Sequence, residues 1–150
     1  MPIQILRCTT GEPRFQALVR ELDMDLTSRY GAVQELYSPH NTVAEIETAV
    51  LALEEGTPVG CGCFKLHGPE TIELKRMFVR REVRGRRIGQ QLVQALEEWA
   101  RELGHAAVVL ETGNLQHEAI ALYTRCGYQS TPCFPPYDQL PASVCMRKPL

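Results

Sequence analysis

The segment from Val83 to Gln90 constrains the fold most, because a basic, glycine-containing turn lies there between a strand-like run and an amphipathic helix. Residues 72–79 have the pattern of a β-strand. The apolar residues after the turn recur at helical spacing and share one helical face: Ile88, Leu92, Leu96, Trp99 and Leu103. Backbone N–H groups and the positive end of the helix dipole meet where such a helix begins, and glycine leaves room for an anion. The segment therefore predicts a phosphate-binding turn, with a solvated connection as the alternative.

Composition and charge narrow the class of protein. A chain of 150 residues, of which 44% are hydrophobic, predicts one domain, residues 1–150, with a substantial buried core. The net charge of -2 argues against general nucleic-acid binding, although one window is strongly basic. That window contains Lys75, Arg76, Arg80, Arg81, Arg84, Arg86 and Arg87 against Glu82 alone. It is interpreted as a solvated face, an anion site or, as a rival, a nucleic-acid-binding patch.

The amino terminus and the cysteines indicate the compartment. Residues 1–8 contain few apolar side chains before charge returns, so we expect no signal peptide, no membrane span and a cytoplasmic location. The six cysteines are then expected to be reduced: Cys8, Cys61, Cys63, Cys126, Cys133 and Cys145. Cys61 and Cys63 share one face of a predicted strand, where they are expected as small buried residues. The histidines are scattered, and the sequence predicts no metal site.

The order of predicted elements indicates the fold class. We predict strands over residues 3–8, 49–53, 59–66, 72–79, 106–110, 128–133 and 144–147, and helices from Pro13, over 88–103 and over 118–126. Residues 30–44 are predicted as a loop, either without a helix or with a short one. The apolar run 106–110 is typical of a strand covered on both faces, so it should lie parallel to the strand before the helix. The class is α/β, with a mixed, mostly antiparallel sheet, a central parallel β-α-β crossover and flanking helices.

Two segments resemble the GNAT superfamily of N-acetyltransferases. The first is the turn, which resembles the family's acyl-CoA-binding loop, namely Gln or Arg, two residues, Gly, one residue, then Gly or Ala. Here Arg84 and Gly89 match this frame, and Arg87 stands where the family usually has its middle glycine. A backbone conformation that favours glycine is energetically unfavourable for arginine. We therefore expect either that Arg87 has ordinary helical geometry or that the loop binds its ligand less closely.

The second segment runs from Leu110 to Tyr128 and is similar to the family's stretch of Asn, Ala-Ile, Leu-Tyr and Gly-aromatic after the fifth strand. Gln116 occupies the Asn position. The resemblance covers nearly the whole chain and implies the GNAT fold and an acetyl-CoA-dependent N-acetyltransferase. Its acceptor would be an amine of a small molecule or a protein, attacked directly in a ternary complex. A non-catalytic acyl-CoA sensor or interaction module is the alternative, and both a monomer and a homodimer are open.

The resemblance also implies catalytic residues. Tyr123 matches the family's tyrosine near the acetyl-CoA sulfur and would act as a general acid, whereas packing at a helix end is the alternative interpretation. Glu73 resembles the base glutamate of some relatives, and strand alternation predicts that it shares a face with Lys75 and Met77. A nearby cation weakens a carboxylate as a base, so Glu73 is either a base or an ion-pair partner. A covalent route through Cys126 or Cys145 is less favoured because no partner histidine is evident.

The cofactor contacts that the resemblance implies are mostly backbone contacts. The pantetheine arm would lie along Phe78 and Val79, next to Met77, and the pyrophosphate would lie over the turn. The implied cofactor-binding residues are Met77, Phe78, Val79, Arg84, Gly85, Arg86, Arg87, Ile88, Gly89, Gln90, Gln116 and Tyr123. Glu111 and Tyr137 are the candidate acceptor-binding residues. Tyr137 belongs to a proline-rich loop, residues 132–141, that is either a connector or a wall of the acceptor site.

Overall fold

The computed structural model describes residues 2–33 and 45–150. Its strands are β1 (Ile3–Cys8), β2 (Ala49–Glu54), β3 (Thr57–Leu66), β4 (Thr71–Val79), β5 (Ala107–Gly113), β6 (Gln129–Thr131) and β7 (Ser143–Pro149). Its α-helices are α1 (Pro13–Tyr30), α2 (Ile88–Glu102) and α3 (His117–Arg125), and short 3-10 turns occupy Gly31–Val33, Arg81–Val83 and Tyr137–Gln139. The predicted order of elements is confirmed, whereas most of the predicted loop over 30–44 lies outside the described residues.

The described strands form one sheet in the order β1-β2-β3-β4-β5-β7-β6. The predicted parallel pairing of β4 with β5 is confirmed, and the other strand pairs are antiparallel. The β4–β5 ladder runs from Thr71 and Ala107 to Leu74 and Leu110, although both strands continue beyond these residues. Within the described chain, the far ends of the two central strands are therefore not paired with each other, and a cleft opens between them.

Helices cover both faces of the sheet. On one face, α1 buries Phe15, Leu18 and Leu22 against residues of β2 and β3. On the other face, α2 buries Leu92 and Leu96 against a larger apolar cluster. A fully buried leucine contributes roughly 1.5–3 kcal/mol relative to an exposed one, so the two apolar stripes account for this arrangement. The cleft between β4 and β5 thus lies among helices at one end of the sheet.

A β-bulge in β4 changes which side chains face the cleft. The register with β3 shifts between Cys61 and Cys63, and Arg76 has a positive φ of 58°. An extra residue in one strand reverses the alternation of side chains beyond it. Met77 consequently packs against the apolar cluster on the α2 face, whereas Glu73 and Lys75 point to the opposite face. The prediction that Glu73, Lys75 and Met77 share a face is therefore wrong for Met77.

Four cysteines are free, namely Cys8, Cys61, Cys63 and Cys126, and two form a disulfide. Cys61 and Cys63 are buried in the apolar cluster under α1, as predicted. The prediction of six reduced cysteines is wrong for Cys133 and Cys145, which form a disulfide with a Cα–Cα distance of 5.1 Å. The two residues meet because Thr131 of β6 lies opposite Cys145 of β7, which brings the start of the proline-rich loop beside its end.

The described residues bear on two further predictions, those about a metal site and about a membrane span. No group of three or more His, Cys, Asp or Glu side chains there could hold a metal ion. Within the same residues, no helix is long and apolar enough to span a bilayer. The cytoplasmic location, the single domain and the oligomeric state stay predictions.

Candidate active site

Two cavities meet at the opening between β4 and β5. We call the first the carboxylate cavity; its lining includes Glu73, Lys75, Glu111, Tyr137, Ala142 and apolar residues of α1. The second, the arginine cavity, is lined by residues 77–79, the turn and α3. Both are lined by Leu22, Met77, Gln116, Ala119 and Tyr123. Ligands in the two cavities would therefore meet at these five shared residues.

The turn before α2 contains two residues with left-handed backbone angles. Gly85 has a φ of 83°, and Arg87 adopts left-handed angles of φ 62° and ψ 22° at the N-cap of α2. Arg87 thus takes a conformation that favours glycine, at a cost of roughly 1–2 kcal/mol, and the alternative of ordinary helical geometry is wrong. In the described chain α2 has no side-chain N-cap, so the N–H groups of its first turn are open to a ligand.

Close packing at Gly89 brings α2 against α3. A Cβ atom at Gly89 would lie 2.9 Å from Leu122 Cδ2, so with a larger residue the Leu122 side chain would have to shift. Arg84 donates from Nε to the Val79 carbonyl oxygen at 2.9 Å, which ties the turn to the end of β4. These contacts hold the turn, β4 and α3 around one cavity.

Three arginines, Arg84, Arg87 and Arg125, and two acidic residues, Asp25 and Glu118, line the arginine cavity. Both acidic residues form salt bridges with Arg29, so the three arginines favour a ligand with negative charges. Arg86 instead forms a salt bridge with Glu54, and neither Arg86 nor Gln90 is in the lining. The other predicted cofactor-binding residues line the cavity: Met77, Phe78, Val79, Arg84, Gly85, Arg87, Ile88, Gly89, Gln116 and Tyr123. Sequence reasoning missed Arg125, which has no motif of its own and reaches the cavity only through the packing of α3.

Tyr123 lies on α3 at the junction of the two cavities and is 5% exposed. Burial raises the pKa of its hydroxyl above the ordinary value, so the group is protonated at neutral pH. Within the described residues the Tyr123 hydroxyl makes no hydrogen bond, whereas the neighbouring Tyr128 hydroxyl donates to Glu97 Oε2 at 2.8 Å. A buried proton donor without such a bond can turn its proton toward a ligand.

A lysine in the carboxylate cavity lies beside one of the two carboxylates. Lys75 Nζ lies 3.7 Å from Glu73 Oε2 and donates to the Tyr137 hydroxyl at 3.0 Å. Burial lowers the pKa of Lys75, and the Glu73 carboxylate opposes that shift. Lys65 Nζ lies 3.8 Å from Glu73 Oε1, but its side chain is 49% exposed. Glu73 therefore lies between two cations, one inside the cavity and one at the surface.

Glu111 differs from Glu73 in its partners. Ser143 Oγ donates to Glu111 Oε2 at 2.9 Å, and in the described part of the chain Glu111 forms no salt bridge. Burial raises the pKa of Glu111 to about 7, while the Ser143 hydrogen bond and the Lys75 charge oppose the shift. Glu111 is the first residue of β5 beyond the paired part of the ladder, so it lies where the strands separate. Its carboxyl group changes charge near neutral pH.

The loop between β5 and α3 is fastened by two side chains. Gln116 accepts at Oε1 from the Gly113 backbone N–H at 3.0 Å. Tyr30, at the end of α1, accepts at its hydroxyl from the Leu115 backbone N–H at 3.0 Å. A Cβ atom at Gly113 would lie only 1.8 Å from the Tyr30 hydroxyl, so this glycine admits the tyrosine ring to the carboxylate cavity. Tyr30 is thus the last residue of α1 and also part of the wall of the carboxylate cavity.

Comparison with known proteins identifies the class. The profile of the Acetyltransferase (GNAT) family matches residues 15–128. An IAA acetyltransferase of Azospirillum brasilense is 38% identical over 135 residues, which cover 89% of this chain and 88% of that protein. An N-acetyltransferase of Schizosaccharomyces pombe, designated C1271.07c, is 31% identical over 137 residues, which cover 88% of this chain and 82% of that protein. The chain belongs to the GNAT family of acetyltransferases.

Solved structures support the same conclusion. A structure from Klebsiella pneumoniae assigned as an acyl-CoA N-acyltransferase has a TM-score of 0.81 and 35% identity, and the match covers 99% of this chain and 97% of that one. The PaiA N-acetyltransferase of Thermoplasma acidophilum, solved with coenzyme A, shares the fold with a TM-score of 0.73, at 15% identity and 100% coverage of both chains. The chain is therefore an acyltransferase with the GNAT fold, and acetyl-CoA is its cosubstrate.

Proposed function

We propose that the protein transfers an acetyl group from acetyl-CoA to a primary amine by direct attack in a ternary complex. Acetyl-CoA occupies the arginine cavity, and the amine occupies the carboxylate cavity. The observation that carries this proposal is the shared lining, since Tyr123 and Met77 border both cavities. Two substrates held side by side at one junction react without a covalent enzyme intermediate, because proximity and orientation supply most of what the reaction needs.

Tyr123 is proposed as the general acid. Attack of the amine on the thioester carbonyl expels the coenzyme A thiolate, and a buried thiolate needs a proton. The Tyr123 hydroxyl retains its proton at neutral pH because burial raises its pKa. The same burial disfavours the thiolate, so transfer of the tyrosine proton to sulfur is matched to the step in which the C–S bond breaks.

Glu111 is proposed as the proton acceptor. An amine with an ordinary lysine-like pKa is almost entirely protonated at pH 7, at an effective cost of about 4–5 kcal/mol. A base with a pKa near 7 is well matched to that task, and Glu111 has one. Glu73, the base suggested by the resemblance, forms an ion pair with Lys75 inside the cavity. We therefore assign Glu73 to the ion pair with Lys75, and we propose that Glu111 accepts the proton of the amine.

A covalent route through cysteine is less consistent with the site. Cys145 is held in the disulfide, and burial raises the pKa of the half-buried Cys126 thiol, which disfavours the thiolate. A non-catalytic sensor would need only the arginine cavity, so the second cavity with its titrating glutamate favours the enzyme.

Initial-velocity kinetics test the ternary complex. Release of coenzyme A would be followed with a thiol reagent while acetyl-CoA and a primary amine are varied together. Intersecting double-reciprocal lines are expected for direct attack. Parallel lines, together with an acetylated protein trapped in the absence of amine, would replace the proposal with a covalent route.

A further inference from the structure

The charges of the carboxylate cavity are not balanced. Glu73 and Lys75 lie 3.7 Å apart and neutralise each other, while Glu111 has only the neutral Ser143 hydroxyl as a close partner among the described residues. Arg76 also lines this cavity, but its guanidinium forms a salt bridge with Asp23 of α1, and its Nε is buried from solvent. One carboxylate is therefore left for a ligand to neutralise.

Among the described residues, the rest of the lining has no further charged side chain. Leu22, Leu26 and Ala142 contribute apolar surface, and Thr112, Gln116 and three tyrosines contribute neutral polar groups. A charged group placed against such a wall loses its hydration without gaining a counter-charge, which is unfavourable. The cavity is thus complementary to one ammonium group attached to an uncharged body.

Resting on the function proposed above, we propose that the acceptor is a primary amine whose ammonium group is its only charge. Lys75 sets this specificity, because its ammonium neutralises Glu73 and leaves Glu111 as the single free counter-charge. A second ammonium on the acceptor finds no free carboxylate, and a carboxylate on the acceptor is repelled by Glu111 and finds Lys75 already paired.

This inference predicts that specificity can be reversed by changing either member of the ion pair. Lys75→Gln leaves Glu73 without its buried partner, so a dication becomes a better acceptor. Glu73→Gln removes the carboxylate that lies beside Lys75, so an acceptor bearing a carboxylate becomes better. Lys65→Gln is the matched control, since Lys65 contacts the same glutamate from the surface with a half-exposed side chain.

Three acceptors with the same six-carbon body provide the test: hexylamine, hexamethylenediamine and ε-aminocaproate. With the wild-type protein, kcat/KM for hexylamine should exceed that for each of the others by about tenfold or more. In Lys75→Gln the ratio of diamine to monoamine should rise about tenfold, and in Glu73→Gln the ratio of aminocaproate to hexylamine should rise likewise. Lys65→Gln should change each ratio less than about twofold.

Ratios within one variant cancel any loss of folded protein, and calorimetric titration with acetyl-CoA verifies the cofactor site of each variant. If the wild type acetylates all three amines equally, or if Lys65→Gln shifts the ratios as much as Lys75→Gln, the specificity inference is overturned while amine acetylation stands. If no primary amine is acetylated although acetyl-CoA binds, the proposed function falls and the inference falls with it.

Discussion

The arginine cavity and the carboxylate cavity share Tyr123 but are assembled differently. The arginine cavity is built mainly from two continuous segments, residues 77–89 and 116–125, and its principal contacts are backbone groups and guanidiniums. The carboxylate cavity draws its charged side chains from β4 and β5 and a tyrosine from the 3-10 turn at Tyr137, and Ser143 of β7 donates to one of the carboxylates. Local sequence thus specifies the arginine cavity, whereas the carboxylate cavity exists only in the folded chain. Variants that affect one cavity without the other test this division.

The largest effect is expected from Tyr123→Phe, which removes the proton donor at the junction. Activity should fall about a thousandfold in kcat, because a positioned general acid contributes roughly 10²–10⁴. The affinity for acetyl-CoA should be unchanged, since in the described residues the hydroxyl makes no hydrogen bond that the fold would lose. Single-turnover rates and calorimetric titration separate these two quantities.

Tyr128→Phe is the matched control, because it deletes the same hydroxyl from a neighbouring buried tyrosine. Its bond to Glu97 would be lost, which should lower the free energy of unfolding by about 1.5–3 kcal/mol. Its kcat should stay within about threefold of the wild type. A larger catalytic loss in Tyr128→Phe than in Tyr123→Phe would contradict the assignment of the acid.

The next effect is expected from Glu111→Gln, which should lower kcat/KM for an amine about a hundredfold at pH 7. Glu111 must be ionised to take a proton, so wild-type kcat/KM should rise with pH through the Glu111 pKa of about 7. In Glu111→Gln this rise of kcat/KM near pH 7, the acidic limb of the pH profile, should disappear. The kcat/KM of the variant should instead continue to rise toward the pKa of the free amine. Glu73→Gln should retain the limb. A pH profile lost in Glu73→Gln and kept in Glu111→Gln would exchange the two roles.

Ser143→Ala tests the same assignment through the pH at which kcat/KM reaches half of its rise. The serine donates to the Glu111 carboxylate and so lowers its pKa. Without the hydrogen bond, the midpoint should move upward by about 0.5–1 pH unit, the equivalent of roughly 1 kcal/mol. A downward shift, or no shift, would mean that Glu111 is not the group that sets the limb.

Cys133→Ser should act on the carboxylate cavity alone. The disulfide with Cys145 closes the loop that carries Tyr137, at a sequence separation of 12, and Tyr137 accepts from Lys75. The KM for the amine should rise roughly threefold to tenfold as the loop loosens, with the acetyl-CoA affinity unchanged. The free energy of unfolding should fall by about 2–3 kcal/mol. Cys126→Ser is the control, and an equal loss of affinity for both substrates would contradict the division between the cavities.

The smallest effect is expected at Arg87, on the arginine side. Arg87→Gly removes a positive charge from the cavity but suits the left-handed backbone, whereas Arg87→Gln removes the charge and keeps the unfavourable conformation. Both should weaken acetyl-CoA binding about threefold in calorimetry, and only the glycine variant should be more stable, by about 1 kcal/mol. Tighter binding by Arg87→Gly would show that the arginine obstructs the ligand.

Periodicity and turn residues were enough to predict the order of helices and strands, the parallel pairing and the basic turn. The bulge at Arg76 was not predictable in this way, because it changes no apolar spacing and is visible only as a register shift against β3. The raised pKa of Glu111 was missed for a similar reason, since burial raises it and the hydrogen bond from a serine 32 residues away opposes the shift. The disulfide also depends on the pairing of β6 with β7, which sequence spacing alone does not fix.

The central claim is that one ligand lies on each side of Tyr123, and a bisubstrate analogue measures it most directly. In this analogue the hexylamine nitrogen is joined through an acetyl linker to the sulfur of coenzyme A, so the molecule spans both cavities. Calorimetric titration should show that it binds at least about tenfold more tightly than coenzyme A, because the hexyl chain is buried in the carboxylate cavity. Equal affinities for the analogue and for coenzyme A would contradict the claim.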